Sequence, residues 1–233
     1  MRVAELFYSI QGEGKLIGVP SVFVRASGCN LRCTWCDTPY ASWNPEGDDW
    51  PVDRIVDETL AFGAKHVVLT GGEPMIMPEI EELSRRLAEA GQHITIETAG
   101  TVFKPVTVHL ASVSPKLSNS TPHEREGGRF AHLHDRQRDR PDVVQQFIDH
   151  ARANGGDVQL KFVVSGEQDL VEIDVLLSKL RGWKNDDVLL MPEGTTPDAL
   201  HARAGWISEL CKHRGFRYAP RLHVELYGNR RGT

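Results

Sequence analysis

Residues 28–38 read GCNLRCTWCDT, with cysteines at 29, 33 and 36. Three thiolates in a CxxxCxxC run suit three irons of a 4Fe–4S cluster, because so short a loop can wrap the cube. The fourth iron then has no protein ligand. An open iron points to chemistry on a bound molecule rather than to electron storage. The alternative is a structural zinc site completed by a histidine or by Cys211. Structural zinc usually shows paired CxxC half-sites, and only one CxxC is present here. Cys211 falls in an expected helix and suits a small buried hydrophobe.

Outward from this loop the chain alternates between two periodicities. Residues 21–26 (SVFVRA) read as a strand entering the cysteine loop. Residues 51–62 place Val52, Ile55, Val56 and Leu60 at helical spacing behind Pro51, a residue suited to a helix start. HVVLT (66–70) is a strand that stops at Gly71-Gly72, and HITIET (93–98) is another. Between them residues 80–90 predict a helix closed by Gly91. Further strands are expected over 106–113, 158–164 and 188–191, and helices over 143–153, 170–180 and 197–214. Such alternation predicts an α/β fold, a parallel sheet with right-handed crossovers. About six βα units are too few for a full eight-unit barrel. The expected architecture is therefore an incomplete TIM-like barrel, with a doubly wound open sheet as the alternative.

The 233 residues form one expected domain, 1–233, since neither an internal repeat nor a linker interrupts them. With 40% hydrophobic residues the chain can bury one substantial core. Its net charge of −5 creates no basic field to recruit nucleic acid. The start MRVAELFYSIQGEG has no signal-peptide apolar stretch, and no run approaches the ~20 apolar residues of a membrane span. Cysteine usage argues against a disulfide framework, so the cytoplasm is the expected compartment. One stretch breaks the alternation. Residues 118–141 hold five arginines, four acids and three histidines with little apolar periodicity, and read as a solvated, mobile insertion. His123, His132 and His134 are read there as solvent-facing residues without a site.

LTGGEP (69–74) follows a strand directly. Its glycines let the backbone approach a ligand, and Glu73 offers a carboxylate able to accept from an ammonium group. The bland alternative is a tight βα turn. With the cysteine run, these residues resemble the radical S-adenosylmethionine (SAM) enzymes, which share CxxxCxxC and GGEP-type glycines. That resemblance implies that SAM chelates the open iron at Cys29, Cys33 and Cys36 through its amino and carboxylate groups. The GGEP turn would receive the SAM ammonium, and reductive cleavage would give a 5′-deoxyadenosyl radical.

FYSIQGEG (7–14), Arg25, ETAGT, SPKLSNSTP and the terminal RLHVELYGNRRGT narrow the likeness. Together with the cysteine run they are similar to 7-carboxy-7-deazaguanine synthases over nearly the whole chain, the stretch 124–140 excepted. QGEG is the most specific element, since radical SAM enzymes in general lack it. The likeness implies a carbon–nitrogen lyase that converts 6-carboxy-5,6,7,8-tetrahydropterin to 7-carboxy-7-deazaguanine with loss of ammonia, toward queuosine and related deazapurines. Implied cofactors are the 4Fe–4S cluster, SAM as a recycled cofactor, and Mg²⁺. Implied partners are a flavodoxin or ferredoxin-type reductant and a second copy in a homodimer.

Residue by residue, the likeness places Trp35, Cys36, Asp37, Gly72, Glu73, Ser114, Pro115, Lys116, Met191 and Glu193 on SAM. It places Ile10, Gln11, Gly12, Glu13, Arg25, Thr70 and His223 on the pterin. Gln11 offers both donor and acceptor, and the Glu13 carboxylate suits the guanidine-like edge. The planar fork of Arg25 suits the substrate carboxylate, or alternatively a surface ion pair. Thr38 would give Mg²⁺ an oxygen ligand; without the likeness, Asp37-Thr38 is equally a turn closing the loop. Trp35 either faces adenine or packs the loop. Lys116 is otherwise an exposed loop lysine, and the 191–194 stretch otherwise an ordinary βα turn. His223 is expected on a late strand, reaching substrate or satisfied in the core. The tail past Gly228 leaves the family's use of a C-terminal carboxylate in doubt for Thr233.

Two rivals share the motifs. A glycyl-radical-enzyme activase would act on a protein glycine, which QGEG and Arg25 argue against. A zinc-stabilised interaction module would use the cysteines without catalysis.

Overall fold

Strand β1 (Arg2–Ile10) runs back antiparallel to β2 (Pro20–Ala26), pairing Ile10 with Pro20 and Val3 with Ala26. The cysteine loop then leaves the end of β2 and closes through α1 (Pro39–Ser42) and the two-residue β3 (Asp48–Asp49), which pairs with β1. From there strand and helix alternate. The series is α2 (Val52–Ala61), β4 (His66–Gly71), α3 (Ile80–Glu89), β5 (His93–Thr98), β6 (Leu110–Val113), α4 (Ala131–Arg138), α5 (Pro141–Ala153), β7 (Asp157–Val164), α6 (Asp169–Ser178), β8 (Val188–Pro192), α7 (Pro197–Arg214), β9 (Arg217–Tyr218) and α8 (Leu222–Tyr227). This computed structural model describes residues 1–233.

One sheet in the order β3-β1-β2-β4-β5-β6-β7-β8-β9 carries the fold. Every pair from β2 to β9 is parallel. The sheet does not close, since β3 and β9 remain its two edges. Six longer parallel strands form a partial barrel, as the sequence predicts, although β5 passes to β6 without the helix that follows each of the other five. The antiparallel edge of β1 and β3 was not among the expected strands.

The two faces of the parallel strands differ in chemistry. One face carries Val24, Leu69, Ile96, Val113, Phe162 and Leu190, all buried in the main core against the helices. Helix boundaries follow local chemistry. Helix α7 starts where Thr196 Oγ1 accepts from Ala199 N (3.3 Å) with Pro197 in the first turn, and it ends at Gly215 in the left-handed region (φ +66°). The other face is polar toward the C-terminal strand ends, with Arg25, Thr70, Glu97 and Lys161 lining a cavity. A parallel sheet covered on both faces is normally apolar on both, so this polarity marks the inner face as a binding surface.

Three expectations need correction. Strand β6 begins at Leu110 rather than 106, because Val106 N turns back onto Lys104 O and the chain first bonds a neighbouring strand at His109, whose N donates to Ile94 O (2.9 Å). His223 lies on helix α8, not on a strand. Its short run LHVEL buries only Val224, and so short a pattern suits either period. Residues 118–141 are not a solvated loop. They contain α4 and fold onto the cysteine loop, and His134 is only 1% exposed.

The division between faces has a measurable consequence. Phe162, fully buried against the helices, should lose about 3–5 kcal/mol on Phe162→Ala. The neighbouring Val163→Ala, on the cavity face, should lose less than half as much. Urea denaturation of both variants checks this ordering.

Candidate active site

The loops at the C-terminal strand ends build the site, and the turn after β4 locks to the loop after β2. Gly72 N donates to Ala26 O (3.1 Å), and Glu73 N donates to Gly28 O (2.9 Å). A Cβ on Gly72 would fall on the carbonyl oxygens of Gly28 and Ala41. Gly71 sits at φ +146° against the Ala26 backbone. The glycine pair is therefore required by close backbone packing. Gly72 also lines the cavity.

Glu73 does not reach that cavity, which corrects its expected role. It is fully buried. Its Oε1 accepts from Met75 N (3.1 Å) and Thr98 Oγ1 (2.7 Å), and its Oε2 accepts from Ala99 N (2.8 Å). Burial pushes its carboxyl up from the ordinary range, against the pull of these donors. Glu73 fastens the turn to the end of β5, and a ligand ammonium must rely on other groups.

None of the three loop cysteines is in a disulfide. Cys29 and Cys36 pack on a small buried cluster of Leu31, Cys33 and Ala99, joined by Trp35. Leu31 N donates to Cys29 Sγ (3.3 Å), and Cys36 Sγ lies 3.0 Å from Ser42 Oγ. Burial raises the Cys29 thiol well above its usual value and pushes Cys33 up to about 12. Thiolates so placed need a cation. Three soft sulfur donors in an apolar pocket, with a backbone N–H already aimed at one, fit an iron–sulfur cluster. Cys211, by contrast, is a buried member of the main core.

One cavity collects nearly all the other residues singled out by sequence. Trp35, Asp37, Thr38, Ser114, Lys116, Met191 and Glu193 line it beside Gly72. Ile10, Gln11, Gly12, Glu13, Arg25, Thr70 and His223 line it as well. Pro115 does not; it lines a smaller separate cavity with Arg138, Glu172 and Val175. Lys116 is no free loop lysine, because its Nζ donates to Ser114 Oγ (2.8 Å) and lies 5.7 Å from the Trp35 ring centre. The hydroxyl of Thr38 makes no helix-cap bond, and its one hydrogen-bond contact is a long one with Cys36 Sγ (3.9 Å).

Arg25 is not in a surface ion pair. Its Nε donates to Glu5 Oε1 (2.6 Å), an oxygen that also accepts from Tyr40 OH (2.7 Å). Its terminal nitrogens have no protein acceptor and are left for the cavity. Opposite in charge is Glu97, the first residue of ETAGT, to which the likeness gave no role. Gln11 Nε2 (3.1 Å) and Thr70 Oγ1 (3.0 Å) each donate to one of its oxygens. The signal was present in HITIET, where Thr95 and Glu97 alternate with Ile94 and Ile96 on a strand otherwise read as core.

Glu13, Lys161, Arg221 and Asp37 form a chain of charges, buried at Lys161 and Arg221 and partly exposed at Asp37. Lys161 Nζ donates to Glu13 Oε2, Arg221 Nε to Glu13 Oε1 (3.0 Å), and Arg221 Nη2 to Asp37 Oδ2. Burial alone would raise the Glu13 carboxyl, but Lys161 and Arg221 hold it well below the usual carboxylate range. Arg221 lowers Asp37 in the same sense. His223 Nε2 stands 3.5 Å from Arg221 Nη2, and its ring occupies the space a Cβ on Gly12 would need. Gly12 thus admits His223. Residues 229–233 complete the lining, with Arg231 paired to Glu46 (2.8 Å) and stacked 4.1 Å over the Tyr40 ring.

The radical SAM superfamily profile matches residues 23–169. A 7-carboxy-7-deazaguanine synthase of Rhodopirellula baltica is 45% identical over 231 residues, 99% of this chain and 88% of the relative. A synthase of the same name from Halobacterium salinarum is 46% identical over 97% of this chain and 90% of its own. Among solved structures, QueE from Escherichia coli superimposes with a TM-score of 0.67 at 26% identity, covering 95% of this chain and 94% of that one. Streptococcus suis SuiB bound to S-adenosylmethionine shares the fold, with a TM-score of 0.54 at 14% identity over 84% of this chain and 48% of its own. Superfamily membership brings with it a 4Fe–4S cluster and SAM. The chain belongs to the 7-carboxy-7-deazaguanine synthase family of radical SAM enzymes.

Proposed function

We propose that this chain converts 6-carboxy-5,6,7,8-tetrahydropterin to 7-carboxy-7-deazaguanine with loss of ammonia, in deazapurine and queuosine biosynthesis. When bound, the cluster and SAM supply a 5′-deoxyadenosyl radical able to take hydrogen from the pterin ring. One observation carries the assignment. A single cavity holds Arg25, with its terminal nitrogens free, and Glu97, held only by neutral donors, beside the residues next to the cysteine loop. A small bicyclic acid with a guanidine-like edge complements that pair. Arg25 grips the carboxylate, oriented by Glu5 behind it. Glu97 takes the guanidine-like donors in place of Glu13, whose two oxygens already carry cations.

Trp35, Asp37, Ser114, Lys116 and Met191 form the SAM side of the cavity. The Thr38 hydroxyl, whose one protein contact is a long one to Cys36 Sγ, would give Mg²⁺ an oxygen ligand. A glycyl-radical activase would need room for a polypeptide, whereas residues 229–233 crowd this cavity. The reaction also calls for an external one-electron donor of flavodoxin or ferredoxin type and a reducing, cytoplasmic setting, with a homodimer as the expected assembly. No helix is long and apolar enough to cross a membrane.

The test is turnover by anaerobically reconstituted protein with SAM, Mg²⁺, a reductant and the carboxytetrahydropterin. One ammonia and one deazapurine chromophore should appear per pterin consumed. Unchanged pterin with a full cluster would overturn the assignment. In the same assay Arg25→Gln should lower kcat/KM about 100-fold, the loss of roughly two charge-assisted hydrogen bonds, while iron content stays at the wild-type level. Thr38→Val should raise the Mg²⁺ concentration needed for half-maximal rate about tenfold, and Thr38→Ser should restore it.

A further inference from the structure

The backbone of a cluster loop is full of polar groups that a buried loop must satisfy. Here residues 118–141 satisfy several of them. Thr34 N donates to Ser120 O (2.8 Å), and Arg125 Nη1 donates to Thr34 O (3.1 Å). Trp35 Nε1 donates to Asn119 O (3.0 Å), and the Trp43 ring meets Phe130 edge-on at 5.7 Å. The innermost contact is made by His134. Arg32 N, in the residue just before Cys33, donates to His134 Nδ1 (3.0 Å).

The tautomer of His134 follows from its neighbours. Ser120 Oγ donates to Leu117 O (2.6 Å), so it must accept from His134 Nε2, which lies 2.9 Å away. Nε2 therefore carries the proton, and Nδ1 keeps the lone pair that receives Arg32 N–H. Burial, with Arg138 nearby, pushes the His134 pKa down to about 4, in keeping with a neutral ring. The peptide plane so held, Leu31–Arg32, adjoins the Leu31 N–H that bonds Cys29 Sγ at 3.3 Å. A loop peptide free to turn would weaken that N–H···S bond.

The geometry points to His134 as a positioning residue for the iron–sulfur cluster: through Arg32 N–H it fixes the 29–33 stretch and keeps Leu31 N–H on the Cys29 sulfur. The charged segment 118–141 is then the clamp of the cysteine loop. This rests on the cluster assignment above, but it adds a residue outside the cysteine motif and outside the cavity. Hydrogen bonds to cluster sulfurs favour the reduced form and raise its potential. Loss of the clamp should therefore loosen the cluster and lower its midpoint potential.

His134→Leu, His134→Asn and His134→Gln separate this role from simple packing. Asn can place an oxygen where Nδ1 stands, whereas Gln reaches toward the Ser120 position. Reconstituted His134→Leu and His134→Gln should lose iron to a chelator about tenfold faster than wild type. Their reduced clusters should titrate at a more negative potential with altered electron paramagnetic resonance g-values, and His134→Asn should recover both readouts. Equal iron release and equal potential in all three variants and wild type would overturn the role. So would equal losses in Asn and Gln, which would indicate packing alone. If His134→Leu fails to fold, as judged by circular dichroism of the metal-free protein, the Asn and Gln pair decides. A wild-type protein that takes up no iron would instead refute the cluster assignment itself.

Discussion

Glu13 carries a cation on each carboxylate oxygen, Lys161 on one and Arg221 on the other, and Arg221 extends the chain of charges to Asp37. Four distant parts of the sequence meet there: the segment after β1, the cysteine loop, the middle of β7 and the residue that starts α8. Lys161 and Arg221 are both almost fully buried. Buried charges persist only when paired, and removing one partner typically costs about 3–5 kcal/mol. The pairing therefore dictates how the ends of the chain approach each other. It joins Glu13 to Asp37 beside Cys36, both of which line the cavity.

A second constraint works on the opposite wall. The turn after β4 gives its backbone N–H groups to Ala26 and Gly28 and its buried Glu73 carboxylate to Thr98 and Ala99. The cysteine loop is thus braced from beneath by the glycine turn and from outside by residues 118–141. Bracing on both sides suits a loop whose three sulfurs must meet one cluster. Preorganisation of this kind lets binding energy go into orienting substrate rather than ordering protein.

Much of this was legible in the sequence because the information is local. The cysteine spacing, the Gly-Gly turn and the alternation of strand and helix are each visible within a short window. Of the expected cavity residues, Gln11, Arg25, Asp37, Thr38, Thr70 and Lys116 do converge. What could not be read is what depends on contacts across the chain. Glu73 looked like a ligand contact, and only the fold reveals that Thr98 and Ala99 consume its oxygens. Lys161 lies in no motif and Arg221 heads the terminal RLHVELYGNRRGT without a role of its own, and their meaning arises from a partner as far away as Glu13. His134 sits in a stretch whose composition reads as solvated, yet its ring is buried by packing against the cysteine loop. The alternation of HITIET and VQLKFV was the missed local signal, since it marks a sheet face that is polar inside a covered barrel.

The central claim is that one cavity, joined across Arg221, grips an acidic pterin between Arg25 and Glu97 beside the cluster loop. An anaerobic crystal structure of the cluster-loaded protein with SAM and the carboxytetrahydropterin tests it most directly. The substrate carboxylate should lie on the terminal nitrogens of Arg25 and the guanidine-like edge on Glu97, with Glu13 still held by Lys161 and Arg221. A substrate whose carboxylate points away from Arg25, or whose guanidine-like edge displaces Lys161 from Glu13, would contradict it.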